Sequence, residues 1–311
     1  MTSRSFLTFA AAALIVTGVQ AADRAEIKFA DARIFPESLT STRDGAIYLG
    51  SLGQDSVYRA DPKSDQAKVF IKPKSNGLQQ VLGVFADEKA GTLWVCTSAT
   101  GGRNGQPVVG ETALKAFSLK DASFKASYAF PGGNGLCNDI AVANDGTVYA
   151  TDTTQGRVLR LKKGASMFEV WASDPMLLAT ADGIVLLSDG NVYVNSVGQS
   201  TLMRIPVGKD GKAGTITKLE LSQPVMGPDG MRSIGGMKIL LVEGGKLDEV
   251  TISGDKAQIK TIKDGMPGIT AVTLAGNTAY LSEARLNERN DPNLRDKELK
   301  PFRAIGVPYK K

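Results

Sequence analysis

One phrase recurs along the chain. It consists of a Gly-containing turn, then a short apolar strand ending in a small or polar residue. The strands are Ile47-Tyr48-Leu49, Leu93-Trp94-Val95, Val148-Tyr149-Ala150, Val192-Tyr193-Val194, Ile239-Leu240-Leu241 and Ala279-Tyr280-Leu281. Turns precede them at Asp44-Gly45, Ala90-Gly91, Asp145-Gly146, Asp189-Gly190, Gly235-Gly236 and Ala275-Gly276. Gly and Asp supply the positive φ of tight hairpins. The interval between phrases is roughly 40 to 55 residues, which suits propeller blades.

Further strands follow in most repeats. Val57-Tyr58-Arg59, Val158-Leu159-Arg160 and Leu202-Met203-Arg204 read as third strands after turns through Gln54, Gln155 and Gln199. Lys68 to Ile71, Phe168 to Trp171 and Ile216 to Leu219 read as outer fourth strands. No repeat holds a long helical pattern, which disfavours a βαβ array. The predicted fold is all-β, a six-bladed β-propeller with four antiparallel strands per blade. Phe302 to Pro308 supplies a third strand to the last repeat, and Glu26 to Ala30 is expected to add its missing outer strand. That pairing of chain ends removes an open sheet edge.

The beginning of the chain reads as an address rather than as fold. Arg4 is followed by an uncharged apolar run from Phe6 to Val19, and Val19-Gln20-Ala21 resembles a cleavage site. Residues 1–21 are therefore expected to be a signal peptide, 22–311 a single domain, and the mature protein periplasmic or secreted. The apolar run is short of the roughly 20 residues that span a bilayer. No later stretch approaches that length, so no membrane association is expected after signal removal.

Charge and composition narrow the chemistry. The formal net charge is +5, but the basic residues are scattered and form no stripe suited to nucleic acid. No histidine occurs anywhere, which removes Ser-His-Asp triads, His bases and most zinc or copper sites. Two cysteines, Cys96 and Cys137, are too few for a thiolate cage. Both fall towards one rim, where an oxidising compartment allows a disulfide between neighbouring repeats; two buried small apolar residues are the expectation. Carboxylates, amides, hydroxyls or an oxygen-held cation remain.

One register position concentrates them. Ten residues before the first apolar member of each second strand stand Glu37, Gly83, Asn138, Asp182 and Asp229, with Ile269 or Gly268 in the last repeat. Each opens an innermost strand, so all belong to one rim of the channel. Three carboxylates converging there would repel each other and raise their pKa values. A bound cation relieves this, and flexible oxygen-only ligands favour calcium. Manganese, magnesium and zinc are the other candidates. Capping of the inner strands by hydrogen bonds is the bland alternative. Two long connections, Ser98 to Glu111 and Ala284 to Lys300, fall on the same rim and suit lids or binding loops. Trp94, Tyr48, Tyr149, Tyr193 and Tyr280 recur in the apolar phrase and are expected to pack between blades.

At these same residues the sequence resembles the gluconolactonase and regucalcin (senescence marker protein) family of calcium-dependent lactonases, from roughly Glu26 to Pro308. Pro228-Asp229-Gly230-Met231 matches the motif whose Asp binds metal and acts as catalytic base. Pro36-Glu37-Ser38 is similar to the first-blade ligand motif, Asn138-Asp139 to the pair whose Asn faces metal and substrate, and Ala181-Asp182-Gly183 to a segment that usually reads Ser-Asn-Gly. The resemblance implies metal ligation by Glu37, Asn138, Asp182 and Asp229, substrate contact by Asn138, and Asp229 as general base in hydrolysis of a small-molecule lactone or ester. Two departures stand out. Asp182 adds a negative charge, and Leu136 replaces the Arg that sugar-specific members place two residues before the Asn. The residues also leave open a non-catalytic propeller that binds a ligand or protein through its top face. A quinone-dependent oxidoreductase is a weaker reading, because no His is present to assist hydride chemistry.

Overall fold

The computed structural model describes residues 24–101, 107–133 and 135–310. The expected signal peptide lies outside the described residues. Strands dominate, in units of four. The first unit runs Pro36–Ser41, Ile47–Ser51, Ser56–Ala60 and Gln66–Ile71. The second runs Val84–Asp87, Thr92–Thr97, Ala113–Ser118 and Phe124–Ala129. The third runs Cys137–Val142, Val148–Asp152, Arg157–Leu161 and Glu169–Ser173. Ala181–Leu186, Val192–Ser196, Thr201–Ile205 and Thr217–Lys218 form the fourth. Pro228–Gly235, Lys238–Glu243, Lys246–Ser253 and Lys256–Lys263 form the fifth. The last unit comprises Ile269–Ala275, Thr278–Glu283, Arg303–Pro308 and, from the other end of the chain, Glu26–Phe29. The first strands of the units touch in chain order, and Ile269–Ala275 returns to Pro36–Ser41.

The hairpins follow from the turn glycines. Gly45, Gly91, Gly146, Gly190, Gly236 and Gly276 all adopt positive φ, where a side chain would be strained. Between units, the recurring apolar phrase makes the core. Tyr193 and Leu202 of the fourth unit pack with Ile239, Leu241 and Val250 of the fifth, and Tyr149 packs with Ile184 and Val194 across the preceding interface. Tyr48, Tyr149, Tyr193 and Tyr280 are all buried, and Trp94 packs partly buried against the next unit. Inter-unit packing is thus their role, as their spacing predicts.

Two details differ from the sequence reading. The outer strand expected at Ile216 to Leu219 is reduced to Thr217–Lys218, and the chain then crosses over. Glu220–Leu221 pairs in parallel with Lys256–Lys263 of the fifth unit. The Leu219 N–H still donates to the Leu202 carbonyl of its own unit at 2.9 Å, and its side chain packs in the apolar cluster shared by the two units. The amino-terminal strand likewise does more than expected. It pairs antiparallel with Arg303–Pro308 and also parallel with Gln66–Ile71, joining the first and last units in one sheet.

Candidate functional site

Four inner strands share one irregularity near the same rim. Their ladders to the second strands step from Pro36–Ser51 to Leu39–Leu49, from Cys137–Asp152 to Ile140–Ala150, from Ala181–Ser196 to Ile184–Val194, and from Pro228–Glu243 to Met231–Leu241. Each step leaves two residues facing one, which is a β-bulge. A bulge frees its extra residue from the ladder and re-aims the side chain. The leftover pairs are Glu37-Ser38, Asn138-Asp139, Asp182-Gly183 and Asp229-Gly230. The register position singled out from the sequence is therefore the first residue of a bulge in four units. In the second unit Gly83 precedes the inner strand, and in the last the bulge leaves only Thr270 between Ile269 and Ala271.

Polar residues opposite the bulges lock each to the next. The Thr151 hydroxyl donates to the Asp182 carbonyl at 2.6 Å, and Thr153 donates to the Ala181 carbonyl at 2.7 Å. Asn195 accepts from the Gly183 N–H at 3.0 Å and donates to the Asp229 carbonyl at 2.5 Å. Thr270 and Ser282 donate to the Glu37 carbonyl at 2.6 and 3.0 Å. Glycine permits the spacing: a Cβ on Gly183 would stand 2.6 Å from the Asp229 carbonyl oxygen, closer than real contacts allow.

Glu37, Asn138 and Asp182 are buried, while Asp229 is partly open at the rim. The Asn138 amide donates to Asp182 Oδ2 at 2.7 Å and to Thr153 at 3.1 Å. Burial holds Glu37 well above the usual carboxylate range, the Asp182 and Asp139 charges add to this, and Arg232 opposes it. Burial and then Asp139 push Asp182 up to about 7, against hydrogen bonds from Asn138 and Asp229. Asp229 is raised well above its usual value by burial and by the Asp182 and Glu37 carboxylates. The Glu37 Oε2 atom is buried with no hydrogen-bond partner. Among the described residues no three or more His, Cys, Asp or Glu side chains form a preformed metal cage. The carboxylates are near enough to repel, and the orphaned oxygen of an all-oxygen set fits a hard cation.

Sequence reasoning missed two members of this centre, Asp139 and Arg232. From the fifth unit, Arg232 Nη1 donates to both Asp139 oxygens of the third unit, at 2.9 and 2.7 Å. Nη2 donates to the Val84 carbonyl of the second unit at 3.2 Å. The repeat carried a signal. In matching register, paired with Tyr48, Tyr149, Tyr193 and Leu240, stand Thr40, Ala141, Val185 and Arg232. Only the last is charged.

The rim is completed by loops and one cross-link. Cys96 and Cys137 form a disulfide, with Cα atoms 5.2 Å apart, which corrects the expectation of two free apolar thiols. Equivalent ends of a second strand and the next inner strand come within bridging distance. Part of the Gly-rich loop after Ser98 lies outside the described residues, but Thr100 and Val109 bridge across it. The loop after Ala284 carries the Leu286–Asn290 helix. A pocket of about 410 Å³ opens there, lined in part by Ile269, Thr270, Arg285 and Leu286. Thr270, bonded to the Glu37 carbonyl, belongs to both pocket and carboxylate centre. Leu136 packs with Leu286 and Leu299 against the adjoining core.

No protein-family model matches the chain, and no curated sequence does. Solved structures share its fold. A proposed gluconolactonase is 14% identical with a TM-score of 0.65, over 94% of this chain and 95% of its own. A gluconolactonase from Xanthomonas campestris is 17% identical with a TM-score of 0.62, over 81% and 84%. Virginiamycin B lyase from Staphylococcus aureus is 13% identical with a TM-score of 0.57, over 82% and 94%.

Proposed function

We propose that the chain is an exported six-bladed β-propeller hydrolase acting on a lactone or related ester at the rim described above. The cyclic contact of inner strands supports closure into a propeller. The observation that carries the chemistry is the alignment of Glu37, Asn138, Asp182 and Asp229 in equivalent bulges, with a buried Glu37 oxygen left unpartnered. Gluconolactonases among proteins of this fold support the reaction class.

These four residues would hold a divalent cation, calcium first and manganese, magnesium or zinc otherwise. Such an ion supplies Lewis-acid polarisation of a carbonyl oxygen. The remaining tasks fall to the chain. Asp229, the carboxyl of the set partly open at the rim, accepts a proton from the attacking water, as a positioned carboxylate can. Asn138, fixed by its bonds to Asp182 and Thr153, orients the substrate. The pocket under the Leu286–Asn290 helix has room for the rest of a small substrate. Residues 1–21 direct the chain to the periplasm or outside the cell.

A panel of aldonolactones and simple lactones, assayed with calcium, manganese and zinc after chelator treatment, tests this reading. Metal-dependent ring opening is the expected result. Tight ion binding without turnover of any lactone or ester overturns the hydrolase and leaves a binding module.

A further inference from the structure

The Arg232 guanidinium reaches beyond the Asp139 pair. Nη2 lies 3.5 Å from Ser38 Oγ and from the Leu39 carbonyl of the first unit, besides its 3.2 Å bond to Val84. Nη1 also reaches the Met231 carbonyl on its own strand at 2.8 Å. One side chain of the fifth unit therefore touches inner strands of the first, second and third. Asp139 extends the link to the fourth by accepting from the Ile184 N–H at 3.2 Å. The two charged side chains are nearly closed off from solvent, at 10% and 5% exposure. A guanidinium serving acceptors on several strands must lie across the axis that those strands surround. Asp139 follows Asn138 directly and Arg232 comes three residues after Asp229, so the pair lies next to the carboxylate rim.

We propose that Arg232 and Asp139 form a charged bolt across the channel, closing the floor of the carboxylate cup and setting how strongly the cup attracts its cation. The inference rests on the cation reading given above, but the bolt has its own test. A surface charge pair would not do this: desolvated partners interact far more strongly than exposed ones. The Arg232 charge offsets that of Asp139 beside Glu37, Asp182 and Asp229, so the cup attracts a cation less than it would with Asp139 unpaired. Held by two bonds to Arg232, Asp139 is kept from joining the ion-binding set. Arg232 is a positioning residue, acting through Asp139 on Asn138 and on the charge of the cup.

Two measurements separate clamp from charge. In chelator, amide hydrogen exchange of R232M and R232K should show faster exchange at Ile184, while the outer strands stay protected. Lysine keeps the charge but cannot fork to several acceptors. Unchanged exchange at Ile184 in both variants overturns the bolt. Calcium titration then reads the charge: R232M should bind at least about tenfold tighter, R232K close to the parent, and R232M combined with D139N close to the parent. Affinity in R232M equal to or weaker than the parent overturns the electrostatic role. If R232M does not fold, R232K carries the exchange measurement and D139N the charge: with Arg232 left unpaired it should bind calcium at least about tenfold weaker, and parent-like affinity overturns the electrostatic role. A parent protein that binds no divalent ion sinks the cation reading and this electrostatic role, while exchange in chelator still decides the clamp.

Discussion

The Thr151 hydroxyl and the Asp182 carbonyl, on neighbouring units, meet at 2.6 Å inside the protein. Thr151 faces the bulge of its own unit and so transmits the position of one rim residue to the next. Thr151→Val keeps the shape, removes this bond and leaves the Asp139 N–H, which donates to Thr151 Oγ1 at 3.0 Å, without its acceptor. It should cost about 1–3 kcal/mol in urea unfolding, the usual penalty of an orphaned buried polar group. Unchanged stability would show that the rim is held by packing alone.

Asp229→Asn should leave the fold intact and reduce lactone hydrolysis by about 10²- to 10⁴-fold, the contribution typical of a positioned base. Steady-state kinetics on the best substrate of the panel check this. Full activity removes Asp229 from the mechanism.

Acid should stabilise the ion-free protein. Folded Asp182 is pushed up to about 7, whereas an unfolded Asp titrates near ~4. Between these values the folded chain binds more protons, so stability falls as pH rises. The contribution is complete below about pH 4 and is lost as pH passes about 7, and Glu37 and Asp229 are shifted in the same direction. In chelator the thermal midpoint should drop between about pH 5 and about pH 8, and less so in Asp182→Asn. A midpoint that climbs over this interval contradicts the electrostatics of the rim.

Reduction of the Cys96–Cys137 bond, which spans 41 residues, should destabilise by about 2–4 kcal/mol. Thermal melts with and without reductant measure it. The Cys96→Ser, Cys137→Ser double variant should match the reduced parent and be indifferent to reductant.

Gly183→Ala places a methyl 2.6 Å from the Asp229 carbonyl oxygen and 2.9 Å from Asn195 Nδ2. Neither atom can retreat without breaking the bond between them. A loss of about 1–3 kcal/mol is expected, as for overpacked cores, together with weaker ion binding. Parent-like values in calorimetry would mean that the bulges have slack.

Much of this was legible in the chain itself. The turn glycines fix hairpins locally, and the Tyr at the centre of most second strands marks the repeat, so both survive as sequence signals. Glu37, Asn138, Asp182 and Asp229 could be aligned because register within a repeat is local. What escaped depends on contacts between distant segments. Arg232 looks like any strand Arg until its partner 93 residues away is brought opposite. The disulfide depended on how closely neighbouring units approach. The short Thr217–Lys218 strand escaped because Glu220–Leu221 pairs instead with Lys256–Lys263, a strand of the next unit.

The Glu26–Phe29 strand has its antiparallel partner at Arg303–Pro308, almost the full length of the polypeptide away. A growing chain therefore carries Glu26–Phe29 without its antiparallel partner until Arg303–Pro308 has been made. Contacts of such sequence separation slow folding, and an uncapped strand edge invites pairing with other chains. Pairing of Glu26–Phe29 with Arg303–Pro308 is the step that closes that edge.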